Sequence, residues 1–460
     1  MHIPRDAAAA ALNVISITTT PNGFTGPARG WNSFGLQSNP KAAPGFTFNQ
    51  DGITKQCDAM ASSLGSSNGY VYCSIDSNWS VGGNGDEYGR IIPDTSVFPN
   101  ITQLADHLHS QRQKLGVYVV PGGFEADINK TILGTDVKIG DVCSGDNGMA
   151  RCNWDFSQDA VQTWHDSVVS QFAEWGVDLI KLDYVTPGSP SNGANLPADN
   201  SGEVIAYHKA IQKSGRSMRL DISWKLDRSS KYFSIWESNA DSMRTDQDIN
   251  NSGSSTLVSW EVVQRAIENY RQYIVEEGPS SPLSIYPDMD NLYVGNAESV
   301  SGISDAQRQS VMSHWIGASA NLIIGSDLTN LDSTGKSILT DADALSIADF
   351  TAQYPMQPRN PGTGESNATQ LQAWIAGPAP SGSKEAVVIL ANYGPDQGQG
   401  GFGTSLSGTQ NVVATWPDLG LSGSYSVTDV WGKKDLGVQS SQVSAQLNEG
   451  ESVLLKLTPA

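Results

Sequence analysis

Between about residues 25 and 350, short apolar or β-branched runs alternate with longer stretches whose apolar residues recur every three or four positions. The short runs suit strands covered on both faces, and the longer ones suit amphipathic helices lying over them. Repeated in order, such pairs are the sequence form of βα units feeding a parallel sheet. The runs predict eight strands, at 28–32, 69–75, 115–120, 177–182, 218–223, 242–245, 283–286 and 321–324. Between them, Ile101, Leu104, Ala105 and Leu108 fall on one helical face, and Val161, Trp164, Val168 and Phe172 on another. The helix that ends at Trp175 meets Gly176, which adopts the left-handed helix-capping conformation at no steric cost. It leads directly into Val177-Asp178-Leu179-Ile180-Lys181-Leu182-Asp183.

Eight such units predict an α/β chain whose first domain, residues 1–355, is a (β/α)8 TIM barrel. From Pro355 to Gly364 the composition turns to Pro, Gly and Asn. Beyond it, short alternating runs at 386–390 and 452–457 are separated by Gly/Ser-rich turns such as 398–408. That pattern predicts a C-terminal antiparallel β-sandwich over residues 365–460. A length of 460 residues accommodates both. Trp374, Trp416 and Trp431 are expected in the core of the second domain rather than on a sugar-binding face.

Charge narrows the function. The formal net charge is −20, yet charged residues make up only 17% of the chain, so the surface is polar mainly through Ser, Thr, Asn, Gln and Gly. A field of that sign repels nucleic acid and anionic membrane and suits a neutral substrate. No apolar run reaches membrane-spanning length. Four cysteines, an even number, together with Asn-x-Ser/Thr sequons at Asn78, Asn100, Asn129, Asn250 and Asn367, point to an oxidising compartment and a secreted protein. Cys143 and Cys152 are expected to pair across a Gly-rich turn, whereas Cys57 and Cys73 are either paired or buried thiols. The opening Met1-His2-Ile3-Pro4-Arg5 lacks the order of a complete signal peptide, so a mature form or a removed signal is expected.

Barrel enzymes carry their chemistry at the carboxyl ends of strands, and several predicted strands end in acids. Asp76 follows the second, Asp183 the fourth, Asp246 and Asp248 the sixth, and Asp288 and Asp290 the seventh. Residues two apart on a strand share a face, so Lys181 and Asp183 point into the same cavity. An ammonium there favours an ionised carboxylate suited to nucleophilic attack, with a structural ion pair as the lesser alternative. Retaining glycoside hydrolysis needs a second carboxyl about 5–5.5 Å away to protonate the leaving oxygen. Asp246 and Asp248 both qualify by spacing, and Asp246 also reads as a helix N-cap. Trp31, Trp79, Tyr118, Trp154, Trp224 and Trp236 lie near these strand ends, where aromatic faces can stack on pyranose rings, with core packing the competing use of each.

Other chemistries find little support. The six histidines are scattered and His107 and His109 fall on a surface helix, so no metal and no cofactor is expected. No Gly-x-Ser-x-Gly elbow follows a strand.

Taken together, Gly30-Trp31-Asn32-Ser33-Phe34, Ile75-Asp76-Ser77-Asn78-Trp79, Lys114-Leu115-Gly116-Val117-Tyr118, Trp175 to Asp183, Arg244 to Asp248 and Asp288-Met289-Asp290 resemble glycoside hydrolase family 27. The family contains α-galactosidases, α-N-acetylgalactosaminidases and β-L-arabinopyranosidases. The resemblance implies Asp183 as nucleophile and Asp248 as acid/base of a retaining exo-enzyme acting on an oligosaccharide or polysaccharide. It implies sugar-pocket positions at Trp31, Asp76, Ser77, Tyr118, Lys181, Ser223, Arg244 and Asp290. It further implies that Arg244 turns toward the sugar and that repulsion from Asp183 keeps Asp248 protonated.

Two departures from the family pattern bear on the substrate. Asp76 is followed by Ser77 where galactosidases resemble a second acid, which exchanges a charge-assisted hydrogen bond of about 1.5–3 kcal/mol for a neutral one of about 0.5–1.5. Ser223 stands where they resemble Glu, while Leu226 would fill the space of a 2-acetamido group. Terminal α-D-galactose is the expected substrate, with β-L-arabinopyranose and isomaltose release from dextran as alternatives within the family. A non-catalytic sugar-binding protein is the alternative of another class.

Overall fold

The computed structural model describes residues 11–190 and 193–460, so the opening Met1 to Arg5 lies outside the described residues. Eight parallel strands form the barrel wall: β1 (Arg29–Asn32), β2 (Tyr72–Ile75), β3 (Lys114–Val119), β4 (Val177–Leu182), β5 (Arg219–Ile222), β6 (Ser242–Arg244), β7 (Tyr286–Asp288) and β8 (Leu322–Ile324). Their order is β7-β6-β5-β4-β3-β2-β1-β8. The seam between β7 and β8 is bridged where the Asn321 N–H donates to the Pro287 carbonyl at 3.2 Å and Leu292 bridges Ile324. Close strand approach dictates Gly30, because a Cβ there would fall 2.0 Å from the Tyr72 carbonyl oxygen.

Seven strands lie within the predicted runs to within a few residues, and the seventh is displaced. Its predicted start, Leu283, bonds instead to the N-terminal segment, donating to Ser16 O at 2.9 Å and accepting from Thr18 N at 2.8 Å. With those groups taken, pairing to β6 begins only at Tyr286. The helix Asp159–Trp175 buries Val161, Trp164, Val168 and Phe172 and ends at Gly176 with φ of 86°. That left-handed cap turns the chain straight into β4, whose outer end carries Asp183.

After β3 the chain leaves the barrel for a small antiparallel sheet formed by Gly123–Phe124, Cys143–Ser144 and Arg151–Trp154. Cys143 and Cys152 are disulfide-bonded across it, with Cα atoms 5.5 Å apart. Cys57 and Cys73 are bonded as well, Cα atoms 6.0 Å apart, so the helix Gln50–Ser63 is tied to β2 rather than leaving two buried thiols.

The C-terminal part is antiparallel. Strands β9 (Gln357–Arg359), β10 (Leu371–Ala376), β11 (Ala386–Asn392), β13 (Tyr425–Asp429), β14 (Lys434–Gln439) and β16 (Glu451–Pro459) form one sheet, ordered β9-β10-β11-β16-β13-β14. The pair β12 (Gln410–Thr415) and β15 (Gln442–Leu447) packs against it. Strand β11 is buried throughout because both of its faces are used. Val387, Ile389 and Ala391 join the barrel core, whereas Ala386, Val388 and Leu390 join the core between the sheets. Trp374 and Trp416 are buried as expected, and the partly buried Trp431 donates to Ser313 Oγ at 2.8 Å. Among the described residues, no helix is long and apolar enough to cross a membrane.

Candidate active site

Tyr118, Lys181 and Asp221 stand in register on β3, β4 and β5, which brings their side chains to one level of the barrel. One residue beyond β4, the Asp183 N–H donates to Val119 O at 3.0 Å, fixing the backbone of the strand tip. Three donors then orient its carboxylate. Tyr118 Oη reaches Oδ2 at 2.9 Å, while Ser223 Oγ at 2.8 Å and the Tyr184 N–H at 2.9 Å reach Oδ1. Burial, reinforced by Asp183 and Asp76, holds the Tyr118 phenol well above its ordinary pKa, so it remains a donor.

Lys181 shares this pocket but does not bond Asp183 directly, as strand parity alone would suggest. Its ammonium lies 2.8 Å from Asp76 Oδ2, an oxygen that also accepts from Asn32 Nδ2 at 3.1 Å. Burial disfavours the ammonium, yet Asp76 and Asp183 outweigh it and raise its pKa, so the charge is kept. The rings of Phe34 and Tyr118 each lie 5.7 Å from Nζ, within cation–π range.

Across the barrel, Arg244 at the end of β6 bridges two acids. Its Nη2 lies 3.1 Å from Asp248 Oδ1 and 3.2 Å from Asp290 Oδ2. The guanidinium is therefore not turned away from Asp248, contrary to expectation. The Asp248 carboxyl is nevertheless pushed up to about 6. Burial in the cleft is the main cause, Arg244 opposes it, and Asp290 adds a larger repulsion than Asp183 does. Asp246 is fully buried and pairs with Arg265 at 2.7 Å, so it is neither a helix cap nor available to a ligand. Asp290, at φ of 73°, spends its oxygens on the N–H groups of Ile249 and Asn291 and on Arg244.

Several expected sugar contacts are placed otherwise. Trp31 is completely covered, donating to Ser326 O at 2.9 Å and packing edge-on against Phe46, because strand alternation turns it away from the axis. Its neighbour Asn32 faces inward, and Phe34, two residues further, borders Lys181. Parity along β1 is the local signal that turns Asn32 inward, whereas Phe34 lies beyond the strand, where parity gives none. Trp79, Trp154 and Trp236 are likewise buried. Of Trp31, Trp79, Tyr118, Trp154, Trp224 and Trp236, Tyr118 and Trp224 stay partly accessible, and the buried Trp224 indole N–H has no hydrogen-bond acceptor among the described residues. Ser223 is fully buried and holds Asp183 instead of facing solvent. Leu226 is buried too. Ser77 lines a cleft of about 370 Å³ with Tyr118, Tyr184, Asp94 and Arg151. A larger cleft of about 510 Å³ lies at the domain junction near Ile274, Pro358 and Asn367, where Glu365 is the one acid among the described lining residues. Among the described residues, no three His, Cys, Asp or Glu side chains group to hold a metal ion.

Residues 26–349 match the family model described as alpha galactosidase A, and residues 368–457 match the alpha galactosidase C-terminal beta sandwich domain. The chain belongs to the alpha galactosidase A family. Alpha-galactosidase 3 of Hypocrea jecorina is 50% identical to this family member over 457 residues, covering 97% of this chain and 73% of that protein. The alpha-galactosidase of Coffea arabica is 28% identical over 94% of each chain. Among solved structures, a GH27 β-L-arabinopyranosidase from Geobacillus stearothermophilus superposes with a TM-score of 0.76 at 23% identity, covering 95% of this chain and 98% of that one. Alpha-galactosidase I from Mortierella vinacea gives 0.67 at 20% identity, covering 95% and 98%. These two likenesses speak to the fold, a barrel with an appended β-sandwich, which this alpha galactosidase A family member shares.

Proposed function

We propose that the chain is a secreted α-galactosidase that releases terminal α-D-galactosyl residues from oligosaccharides or polysaccharides with retention of configuration. The observation that carries this reading is a carboxylate, Asp183, oriented by three donors opposite a carboxyl, Asp248, whose pKa is raised to about 6. Two carboxyl groups in such unlike surroundings are suited to unlike roles. Asp183 attacks the anomeric carbon while the Asp248 proton passes to the departing glycosidic oxygen, so one C–O bond forms as the other breaks. Asp248, now ionised, takes a proton from water, whose oxygen displaces Asp183 and restores both groups. Lys181, Asp76, Arg244 and Tyr118 supply fixed charge and hydroxyl contacts around the ring. Two disulfides and a neutral substrate accord with an extracellular setting.

The 50% identical relative favours galactose. Ser77, bordering an open cleft where an acid would grip the sugar, favours β-L-arabinopyranose as a second reading. Hydrolysis of nitrophenyl α-D-galactoside, β-L-arabinopyranoside and α-D-glucoside distinguishes them, and turnover of the arabinoside alone would displace the first. Asp183→Asn should stay folded and lose nearly all turnover. Undiminished sugar binding by a parent protein without hydrolytic activity would instead mark a lectin.

A further inference from the structure

Beneath the catalytic groups, the barrel interior holds a second carboxyl pair that hydrolysis does not use. Asp221 on β5 and Asp288 at the end of β7 are each 7% exposed. Both line a cavity of about 30 Å³ together with Lys181, Arg244, Asn291 and Asn321, room for little more than water. Asp221 Oδ1 accepts from Ser242 Oγ at 2.5 Å, and Ser242 Oγ accepts in turn from Asn321 Nδ2 at 3.0 Å, so the serine proton is committed to Asp221. Asp288 Oδ1 accepts the Asp290 N–H at 2.7 Å. The two carboxyl groups face this one cavity. Two ionised carboxylates in so small a space repel, and a proton shared between them removes that repulsion.

We propose that Asp221 is a buried carboxylic acid whose O–H donates to Asp288 and thereby acts as a positioning residue for the acid/base arm of the active site. The linkage is continuous. Asp288 holds the N–H of Asp290, which sits in the left-handed region at φ of 73°, where a non-glycine residue needs support. Asp290 holds the Ile249 N–H at 2.8 Å and Arg244 at 3.2 Å, and Arg244 reaches Asp248 at 3.1 Å. Burial first, and then the charge of Asp288, push the Asp221 carboxyl well above the usual carboxylate range. The groups facing it are Lys181 on β4, Arg219 on its own strand, Ser242 and Arg244 on β6, Asp288 and Asp290 at β7, and Asn321 before β8. Ionising Asp221 would add a charge beside Asp288, break their hydrogen bond and draw Lys181 and Arg244 away from the acids they serve.

The activity part of this inference rests on Asp248 being the acid/base. Asp221→Asn keeps a neutral donor toward Asp288, whereas Asp221→Ala removes it. With thermal unfolding confirming the fold of each variant, Asp221→Asn is expected to keep kcat within about threefold of the parent. Asp221→Ala is expected to lose about tenfold or more in kcat with little change in KM, and to move the limb of the pH profile that reports Asp248. In deuterium oxide at about pH 8, where ordinary carboxyls are ionised, the parent should show an infrared carbonyl band of a protonated carboxyl that Asp221→Asn lacks. Equal kcat and pH limbs for the two variants overturn the proposal, as does a folded parent without that band. Because the band is read without substrate, failure of the hydrolase reading leaves it untouched and the two failures remain distinguishable.

Discussion

At the scale of single residues, the proposed site gives chemically identical side chains different surroundings. Asp183 has three donors and no bonded cation, whereas Asp248 has a cation, a nearby carboxylate and a cleft wall around it. A general acid has to be protonated in the free enzyme, so kcat/KM is expected to fall as pH rises through about 6. Asp248→Ala should lose about 10²- to 10⁴-fold on substrates with an alkyl leaving group and clearly less on a nitrophenyl galactoside, whose oxygen departs without a proton. Equal losses on the two substrates would remove Asp248 from the acid role. The sequence places Asp183 at a strand's carboxyl end because that is a local property, whereas spacing alone leaves Asp246 and Asp248 equally open. The partners of these acids were not legible in it. Lys181 bonds Asp76 from β2, and Ser223 bonds Asp183 from the neighbouring strand, contacts set by the stagger of the strands around the barrel.

At the scale of elements, the excursion between β3 and β4 is too small to hold itself by burial. Its three strands have two, two and four residues, and the Cys143–Cys152 bond crosses a separation of nine. By loop-closure entropy such a cross-link contributes roughly 2–3 kcal/mol, and the Cys57–Cys73 bond, across sixteen residues, about 3. Replacing Cys143 and Cys152 by Ser should therefore lower Tm measured by calorimetry. It should also weaken activity, since Arg151 and Met149 of the excursion line the cleft that Ser77 and Tyr118 border. Unchanged Tm and KM would mean that the excursion neither needs the cross-link nor shapes the cleft. The sequence suggested this pairing from the Gly-rich turn, but it could not say that the segment forms a wall of the cleft.

At the scale of the whole molecule, the two domains are joined by a buried polar chain. Trp374 Nε1 donates to Tyr393 Oη at 2.7 Å, and Tyr393 Oη lies 2.8 Å from His314 Nε2. His314 Nδ1 faces the Ser310 carbonyl and must be the donor nitrogen, so Nε2 accepts from Tyr393 and the ring is neutral. Burial lowers the His314 pKa to about 4, against about 6.5 unfolded. The folded-state pKa is depressed, so the stabilisation is complete above pH 6.5 and is lost as pH falls from there through 4. Its size is roughly 3 kcal/mol. Thermal unfolding should show a Tm decline over that window that His314→Gln flattens, and an identical slope in the variant would exclude the junction as its source.

The sequence by itself determined the succession of strands and helices, the change of architecture near residue 360 and the acids at the strand ends. Each of these follows from hydrophobic period and from turn residues that act over a few positions. Only the tertiary structure decided that Trp31 faces outward, that Arg244 is shared between Asp248 and Asp290, and that Asp221 and Asp288 line one cavity inside the barrel. Arg244 and Asp248 are four positions apart, but the other contacts join residues tens to hundreds of positions apart, and their pairing depends on how the closed sheet brings strand faces together across its axis.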